Sequence, residues 1–411
     1  MAGIIHKFQT AADLYRSGGM TAIKDKIKQK QNAKKKNMID GYEFIMNRDK
    51  VPFNESEYRK MDAKNTITLN WVIPMPGIGS GGHINIFRFI CNLQKMGFQN
   101  RVYAMCEFDD TPDELFYEFV EKYYKVTDRT LELHYGVKNM KCAHGTIATS
   151  WETAYIVNNF DNTLSKFYFV QDFEPYFFPL GSRYAFAENT YKFGFRGITA
   201  GDWLKDKLRD EYGMETASFG FSYDKDIYSV KKKADSVKRV FYYARPFTER
   251  RSFEIGLLVL NELHKRMPEV EIVSAGSPLK EYQVPFPVKD LGTVALADLS
   301  RLYAQCDLCL VLSHTNLSLL PLEIMASGSV VVCNKGANCE WLVNDENAVL
   351  TELDPKDIVD RMELYLKNEE LLEDKRTKGI AYAHETSWEK EAQKVADFIR
   401  KSVDADKKKL N

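Results

Sequence analysis

Thr66-Ile-Thr-Leu-Asn-Trp-Val-Ile73 runs into Pro74-Met-Pro-Gly77-Ile-Gly79-Ser-Gly81-Gly82-His83 and then Ile84-Asn-Ile-Phe-Arg-Phe-Ile-Cys-Asn-Leu-Gln-Lys-Met96. All of the first eight residues but Asn70 are β-branched or apolar, so they predict a buried strand. Two prolines and four glycines break it, and helical spacing of apolar residues resumes from about His83 to Met96. Strand, glycine turn and helix are the first half of a βαβ unit. The pattern continues with a strand at 100–105, an acidic-start helix at 111–124, and buried strands at 145–149 and 166–170. A second series follows Phe219-Gly-Phe-Ser-Tyr223. It has strands at 240–243, 270–275, 308–312 and 330–333, with helices at 252–267, 297–304 and 319–327 between them. Strands alternating with helices predict parallel sheets with right-handed crossovers. The fold class expected is therefore α/β, with two Rossmann-like, doubly wound domains facing across a cleft. Their boundaries are expected at 66–219 and 220–386, and a strongly periodic helix at 387–403 is expected to cross back to the first domain.

The chain has 411 residues, 44% of them hydrophobic and 28% charged. That is enough for two sizeable cores. The 57 Lys+Arg nearly balance the 58 Asp+Glu, which argues against a surface built to grip nucleic acid. No apolar run reaches the ~18 residues that span a bilayer, and the first residues lack the long apolar core of a secretory signal. The seven cysteines (91, 106, 142, 306, 309, 333 and 339) are odd in number and dispersed, which predicts reduced thiols and a cytoplasmic protein. Cys306-Asp-Leu-Cys309 has C-x-x-C spacing but no second pair at zinc-ribbon distance, so it reads as packing. Residues 1–50 stand apart as an expected helical arm. Residues 1–37 carry nine Lys/Arg against two acids, with Ile4, Phe8, Ala11 and Tyr15, then Ile23 and Ile27, at helical spacing. Such an arm can lie on an anionic membrane surface or pack against the body.

Two constellations can carry chemistry. In the first domain Gly77, Gly79 and Gly82 satisfy G-x-G-x-x-G directly after a strand. Gly79, Gly81 and Gly82 let a ligand approach the backbone, and Glu107 stands where a dinucleotide's ribose partner would be. Asp172 and Glu174 follow the apolar run Phe167–Gln171 and are candidates to accept an acceptor proton or position a sugar. His83 is a third catalytic candidate, and Trp151 and Glu152 are candidate acceptor-lining residues. In the second domain, Ala244-Arg245-Pro-Phe-Thr-Glu-Arg250-Arg251 places cations after a strand. Arginine suits phosphate because its fork binds oxygens bidentately. Ser313-His-Thr-Asn-Leu-Ser-Leu-Leu-Pro-Leu-Glu323 joins a strand to a helix. There the N–H groups of Ser318, Leu319 and Leu320 face a prospective diphosphate, and Glu323 is within a turn's reach of a sugar hydroxyl. No D-x-D motif in a suitable context marks a metal site: Asp109-Asp110 and Asp161 lack one.

These stretches resemble the nucleotide-sugar domain of retaining GT-B glycosyltransferases of family 4, whose pattern reads G-R-x-x-x-x-K, a base-contacting loop, then E-x-x-x-x-x-x-x-E. Arg245 matches the arginine and Arg250 the lysine position. Gly292, Thr293 and Val294 match the base loop, and Glu323 matches the second glutamate. Thr315 stands where the family has its first glutamate, the residue that contacts the transferred sugar, and a less hydroxylated sugar such as a deoxyhexose is compatible with that change. Phe169-Val-Gln-Asp172-Phe-Glu174-Pro-Tyr-Phe177 and the Pro76–His83 loop are similar to bacterial rhamnosyltransferases of surface-polysaccharide and S-layer glycan assembly, over about residues 66–403. The resemblance implies a donor, dTDP-β-L-rhamnose, and a rhamnan acceptor, lipid-linked or free, at the inner face of the plasma membrane. It also implies transfer with retention, and no cofactor or metal. The residues themselves leave two other readings open: an NAD(P)-dependent oxidoreductase using the glycine loop, and a non-catalytic glycan-binding assembly protein.

Overall fold

The computed structural model describes residues 39–47, 49–106 and 112–410. The basic arm of residues 1–37, Glu107 and Asp109-Asp110 lie outside the described residues. The chain divides into two units, residues 1–47 and 48–411. In the first, a 3-10 turn at Asp40–Tyr42 leads into one helical turn, Glu43–Met46.

The first sheet has seven strands: β1 (Thr68–Pro74), β2 (Gln99–Met105), β3 (Glu132–Tyr135), β4 (Ala143–Ala148), β5 (Thr163–Val170), β6 (Arg196–Ala200) and β7 (Thr216–Phe219). Their order is β3-β2-β1-β4-β5-β6-β7, and every pairing is parallel. The second has six: β8 (Arg239–Ala244), β9 (Glu271–Gly276), β10 (Lys289–Asp290), β11 (Leu308–Val311), β12 (Val330–Asn334) and β13 (Val349–Thr351). Their order is β10-β9-β8-β11-β12-β13, again parallel throughout. Both sheets are doubly wound, as expected. The order reverses between β1 and β4 in one sheet and between β8 and β11 in the other. Such reversals open a crevice at the carboxyl ends of the strands, where ligands bind.

β1 is central because it can be buried on both faces: Leu69, Trp71, Val72 and Ile73 are fully enclosed. Its one buried amide, Asn70, donates to the Lys141 carbonyl at 2.7 Å, while its Oδ1 is buried without a hydrogen-bond partner. Phe89, Phe169 and Phe219 meet beside Trp71, with ring centroids 4.5–5.7 Å apart. Each such ring contributes about 1.5–3 kcal/mol on burial. The last helix, Trp388–Leu410, returns to this first sheet. Trp388 packs on Phe89, Ser165 Oγ donates to Asp406 at 2.7 Å, and Arg196 makes two charge-assisted bonds to the same carboxylate at 2.6 and 3.0 Å. The helix runs seven residues beyond the 403 expected from apolar periodicity. Its extension, Asp404–Leu410, is polar on most sides but is fixed by Asp406 and by Lys407, which bonds Asp62.

Phe221 leaves the first sheet and packs on Trp341 of the second domain and on Trp388, at 5.2 and 6.3 Å. The junction between the domains is thus partly apolar. The C-x-x-C pair is plain core: Cys306 and Cys309 are buried, the former donating to the Leu302 carbonyl and the latter bonded with Ser329 Oγ. Among the described residues no helix is long and apolar enough to cross a membrane.

Candidate functional site

Loops from the carboxyl ends of both sheets meet across the cleft. From β8 comes the arginine loop. Arg245 is exposed, stacks on the Tyr243 ring at 4.7 Å and bonds its hydroxyl. Arg250 lies over the Phe177 ring of the first domain at 4.2 Å, and its Nε is buried without a hydrogen-bond partner. Arg251 donates to Ser313 Oγ at 2.9 Å. Burial pushes the pKa of both Arg250 and Arg251 down, although a guanidinium remains charged at any ordinary pH. Ser252 closes the loop with φ +53°. From β11 comes the loop that carries Ser313, His314, Thr315 and Asn316. The two loops are tied by the His314 N–H donating to the Arg250 carbonyl at 2.9 Å.

Asp172 faces these loops from the end of β5. Thr315 donates its hydroxyl to one carboxylate oxygen at 2.8 Å, and the Asn316 N–H donates to the other at 2.9 Å. Arg250 Nε stands 4.0 Å from the same oxygen that Thr315 reaches, and 12% of the Asp172 side chain remains exposed. Burial raises the Asp172 pKa, against the Asn316 and Thr315 bonds and the two arginines, which lower it. Asn316, itself buried, completes the join. Its Nδ2 donates to the carbonyls of Gln171 (2.9 Å) and Ala200 (3.0 Å), and its Oδ1 accepts from Trp341 Nε1 at 2.6 Å.

Glu174 is placed differently from its neighbour. It is buried, its Oε2 accepts from the Trp151 N–H at 2.7 Å and its Oε1 from the Tyr168 hydroxyl at 3.1 Å. Burial, with Glu152 and Asp172 adding to it, pushes its pKa up to about 8. One oxygen thus fixes the start of the Trp151–Asn159 helix and the other the Tyr168 hydroxyl of β5, so of the two expected carboxylates Glu174 turns inward and Asp172 faces the loops of the second domain. Trp151 is buried with edge contacts to Tyr155 and Phe178, which corrects its expected role as an acceptor-stacking face. Glu152 is half-buried, and burial raises its pKa. His83 accepts from the Ser80 hydroxyl at Nδ1 (2.8 Å) and sends Nε2–H to the Pro74 carbonyl at 3.2 Å. A carbonyl cannot donate, which fixes that tautomer. Burial lowers its pKa, so the ring is neutral and braces the glycine loop.

That loop is open. A side chain at Gly77, Gly79 or Gly81 would meet nothing within 4 Å, and Gly79 has φ +73°. Gly82 lies against Gln171, which donates to its carbonyl at 3.1 Å, so the loop and Asp172 share one neighbour.

On the donor side, Gly292 (φ +56°) accepts from the Gly276 N–H at 2.8 Å, and Thr293 Oγ1 donates to the Gly276 carbonyl at 3.4 Å. Thr293 is exposed and Val294 half-buried beyond them. Thr315 is fully buried with its hydroxyl committed to Asp172, which corrects its expectation as a free donor-binding group. The helix expected from Leu319 begins at Leu320 and spans Leu320–Ala326. The Leu320 N–H is taken by Ser318 Oγ at 3.3 Å; Ser318 is exposed and Leu319 half-buried. Glu323 is raised to about 7 by burial, with the Tyr228 phenol and Arg88 lowering it and Asp224 raising it. Arg251, quoted in the arginine loop but given no role of its own, completes the site with Asn316 and Trp341, to which the sequence reading assigned none.

The C-terminal domain model of the WsaF family matches residues 238–363, and its N-terminal domain model matches residues 114–200. The chain belongs to the WsaF family. The two matches cover just over half of it and fall on both Rossmann-like domains. The O-antigen biosynthesis protein RfbC of Myxococcus xanthus is 35% identical over 255 residues, 61% of this chain but 20% of that protein. The WsaF-family chain thus spans about a fifth of the length of the curated relative it matches. Among solved structures, HepE of Anabaena in complex with UDP and glucose superimposes with a TM-score of 0.62 at 13% identity, covering 82% of this chain and 100% of that one. TarM of S. aureus gives 0.65 at 10% identity, over 81% and 98%. WaaG, a glycosyltransferase involved in lipopolysaccharide biosynthesis, gives 0.59 at 13%, over 81% and 99%. At these identities the likeness is one of fold, and the fold is GT-B.

Proposed function

We propose that this WsaF-family chain is a glycosyltransferase of surface-glycan assembly that moves a deoxyhexose, L-rhamnose from dTDP-β-L-rhamnose, onto a hydroxyl of a rhamnan acceptor. One observation carries the reading: Arg250, Arg251 and the Ser313–Asn316 loop converge at the switch point of the second sheet, directly opposite Asp172 and the open glycine loop of the first. The O-antigen role in RfbC's name and the UDP and glucose bound in HepE support a nucleotide-sugar donor and a surface-glycan product.

In the reaction the bond between the anomeric carbon and the diphosphate breaks, the acceptor oxygen bonds to that carbon, and the nucleoside diphosphate leaves with the bonding pair. Negative charge grows on the leaving diphosphate, so fixed cations there stabilise the transition state more than the ground state. Arg245 and Arg250 supply that charge, and Arg251 holds the loop through Ser313. Gly292, Thr293 and Val294 would border the base, and Glu323 the ribose. Asp172, whose pKa is raised, would take or steer the acceptor hydroxyl's proton. Retention would then follow a front-face course in which the departing phosphate shares that proton. With arginines on the diphosphate the reaction needs no metal. The basic arm of residues 1–37 would hold the enzyme at an anionic membrane surface beside a lipid-linked acceptor.

The test is incubation with dTDP-β-L-rhamnose and a rhamnan oligosaccharide, following dTDP release and the anomeric configuration of the new linkage by NMR. Release that requires acceptor, survives chelator and yields the β-linkage supports the proposal. Transfer only with manganese restored, or with the configuration inverted, contradicts those parts of it.

A further inference from the structure

The arginines proposed to hold the donor's diphosphate already face an anion of the protein itself. Asp172 Oδ2 stands 4.0 Å from Arg250 Nε, and that Nε has no hydrogen-bond partner although it is buried. Arg251, the second cation near Asp172, is held by Ser313 Oγ. The carboxylate is anchored toward them. Thr315 Oγ1 and the Asn316 N–H each bond one of its oxygens, and both residues sit on the loop whose Ser313 holds Arg251 and whose His314 N–H bonds the Arg250 carbonyl. Two anions drawn to the same guanidiniums repel each other strongly in a partly dry site.

We infer that Asp172 is an internal competitor for the donor's diphosphate: its carboxylate shares the Arg250–Arg251 field, and a nucleoside diphosphate binds by displacing it. The inference rests on the proposal that these arginines bind the donor's diphosphate. Because the displaced bonds also join β5 to the second domain's donor loop, donor entry would loosen that junction and free the carboxylate to face an acceptor hydroxyl. Donor binding and the Asp172 clasp are therefore antagonistic, with coupling of the usual size for linked sites, about 5- to 150-fold in affinity.

The experiment is isothermal titration of dTDP and UDP into wild type, Asp172→Asn and Arg250→Ala, with thymidine and uridine titrated by ligand-observed NMR as phosphate-free controls. Asp172→Asn keeps the shape and removes the charge; Asp172→Ser, which also removes it, gives the same reading if the Asn variant does not fold. The inference expects the nucleoside diphosphate to bind about 5- to 150-fold more tightly when the charge is removed, with nucleoside binding unchanged. Unchanged or weaker diphosphate binding in the Asp172 variants, or equal tightening of the nucleoside, overturns it. If Arg250→Ala binds the diphosphate as well as wild type, or neither nucleotide binds any of the proteins, the underlying assignment of the arginines fails instead.

Discussion

Replacing Asn316 by alanine tests the junction between the two sheets. The Asn316 side chain is buried, and its amide spans three elements. It donates to the carbonyls of Gln171 and Ala200 at 2.9 and 3.0 Å and accepts from Trp341 Nε1 at 2.6 Å. The indole has a second acceptor, the Asn338 carbonyl at 3.1 Å, so its loss is cushioned. The two carbonyls lose this donor, and a group left unsatisfied in the interior costs about 1–3 kcal/mol. Asn316→Ala should therefore destabilise the chain by about 2–4 kcal/mol, read as a lower urea midpoint at unchanged slope by tryptophan fluorescence. Trp341→Phe removes only the cushioned bond, and a double-mutant cycle between the two should give coupling of about 1 kcal/mol. A change within about 0.5 kcal/mol of wild type for Asn316→Ala, the range of ordinary surface substitutions, would refute the reasoning that this amide holds the junction.

Gly201 sits at φ +85°, and a Cβ there would lie 2.3 Å from the Trp341 ring. Backbone strain and overpacking together predict a loss of about 2–4 kcal/mol for Gly201→Ala, measured by the same urea titration; wild-type stability would mean that Trp341 moves freely. Glu174 has its pKa raised to about 8, above the ~4.3 of an unfolded glutamate. The folded protein therefore holds this proton more tightly, so the contribution is fully present below about pH 4 and is lost as pH rises through 8. Glu174→Gln should accordingly gain stability relative to wild type between pH 5 and 8.5, by several kcal/mol at most. A difference in stability that stays flat across that range would show that Glu174 is ionised throughout.

Much of the fold was legible because the central strands are continuous apolar runs that no helix of that length explains: β1, β8, β11 and β12 fall within one or two residues of their expected limits. β6 and β7 were not. Their sequences, Arg-Gly-Ile-Thr-Ala and Thr-Ala-Ser-Phe, are small and polar, and they are strands because β5 offers a ladder beside them. β3 and β13 are short edge strands of four and three residues, below what periodicity can register. In the site, Arg245 and Arg250 were recognisable from spacing along one loop. The clasp around Asp172 was not, since Thr315 and Asn316 come from the other domain, 143 and 144 residues on. Asp172 and Glu174 read alike in sequence. They part because Asp172 ends a turn at the cleft, whereas Glu174 opens a 3-10 turn whose direction carries it inward to Tyr168 and the Trp151 N–H.

The most direct measurement of the account is thermal stabilisation of wild type and Arg250→Ala by dTDP, UDP, GDP and NAD. A ligand at a hundredfold excess over its Kd adds ~2.7 kcal/mol to the folded state. The account predicts a shift with dTDP that Arg250→Ala loses or greatly weakens. A shift with NAD alone, or a dTDP shift indifferent to Arg250, would contradict it.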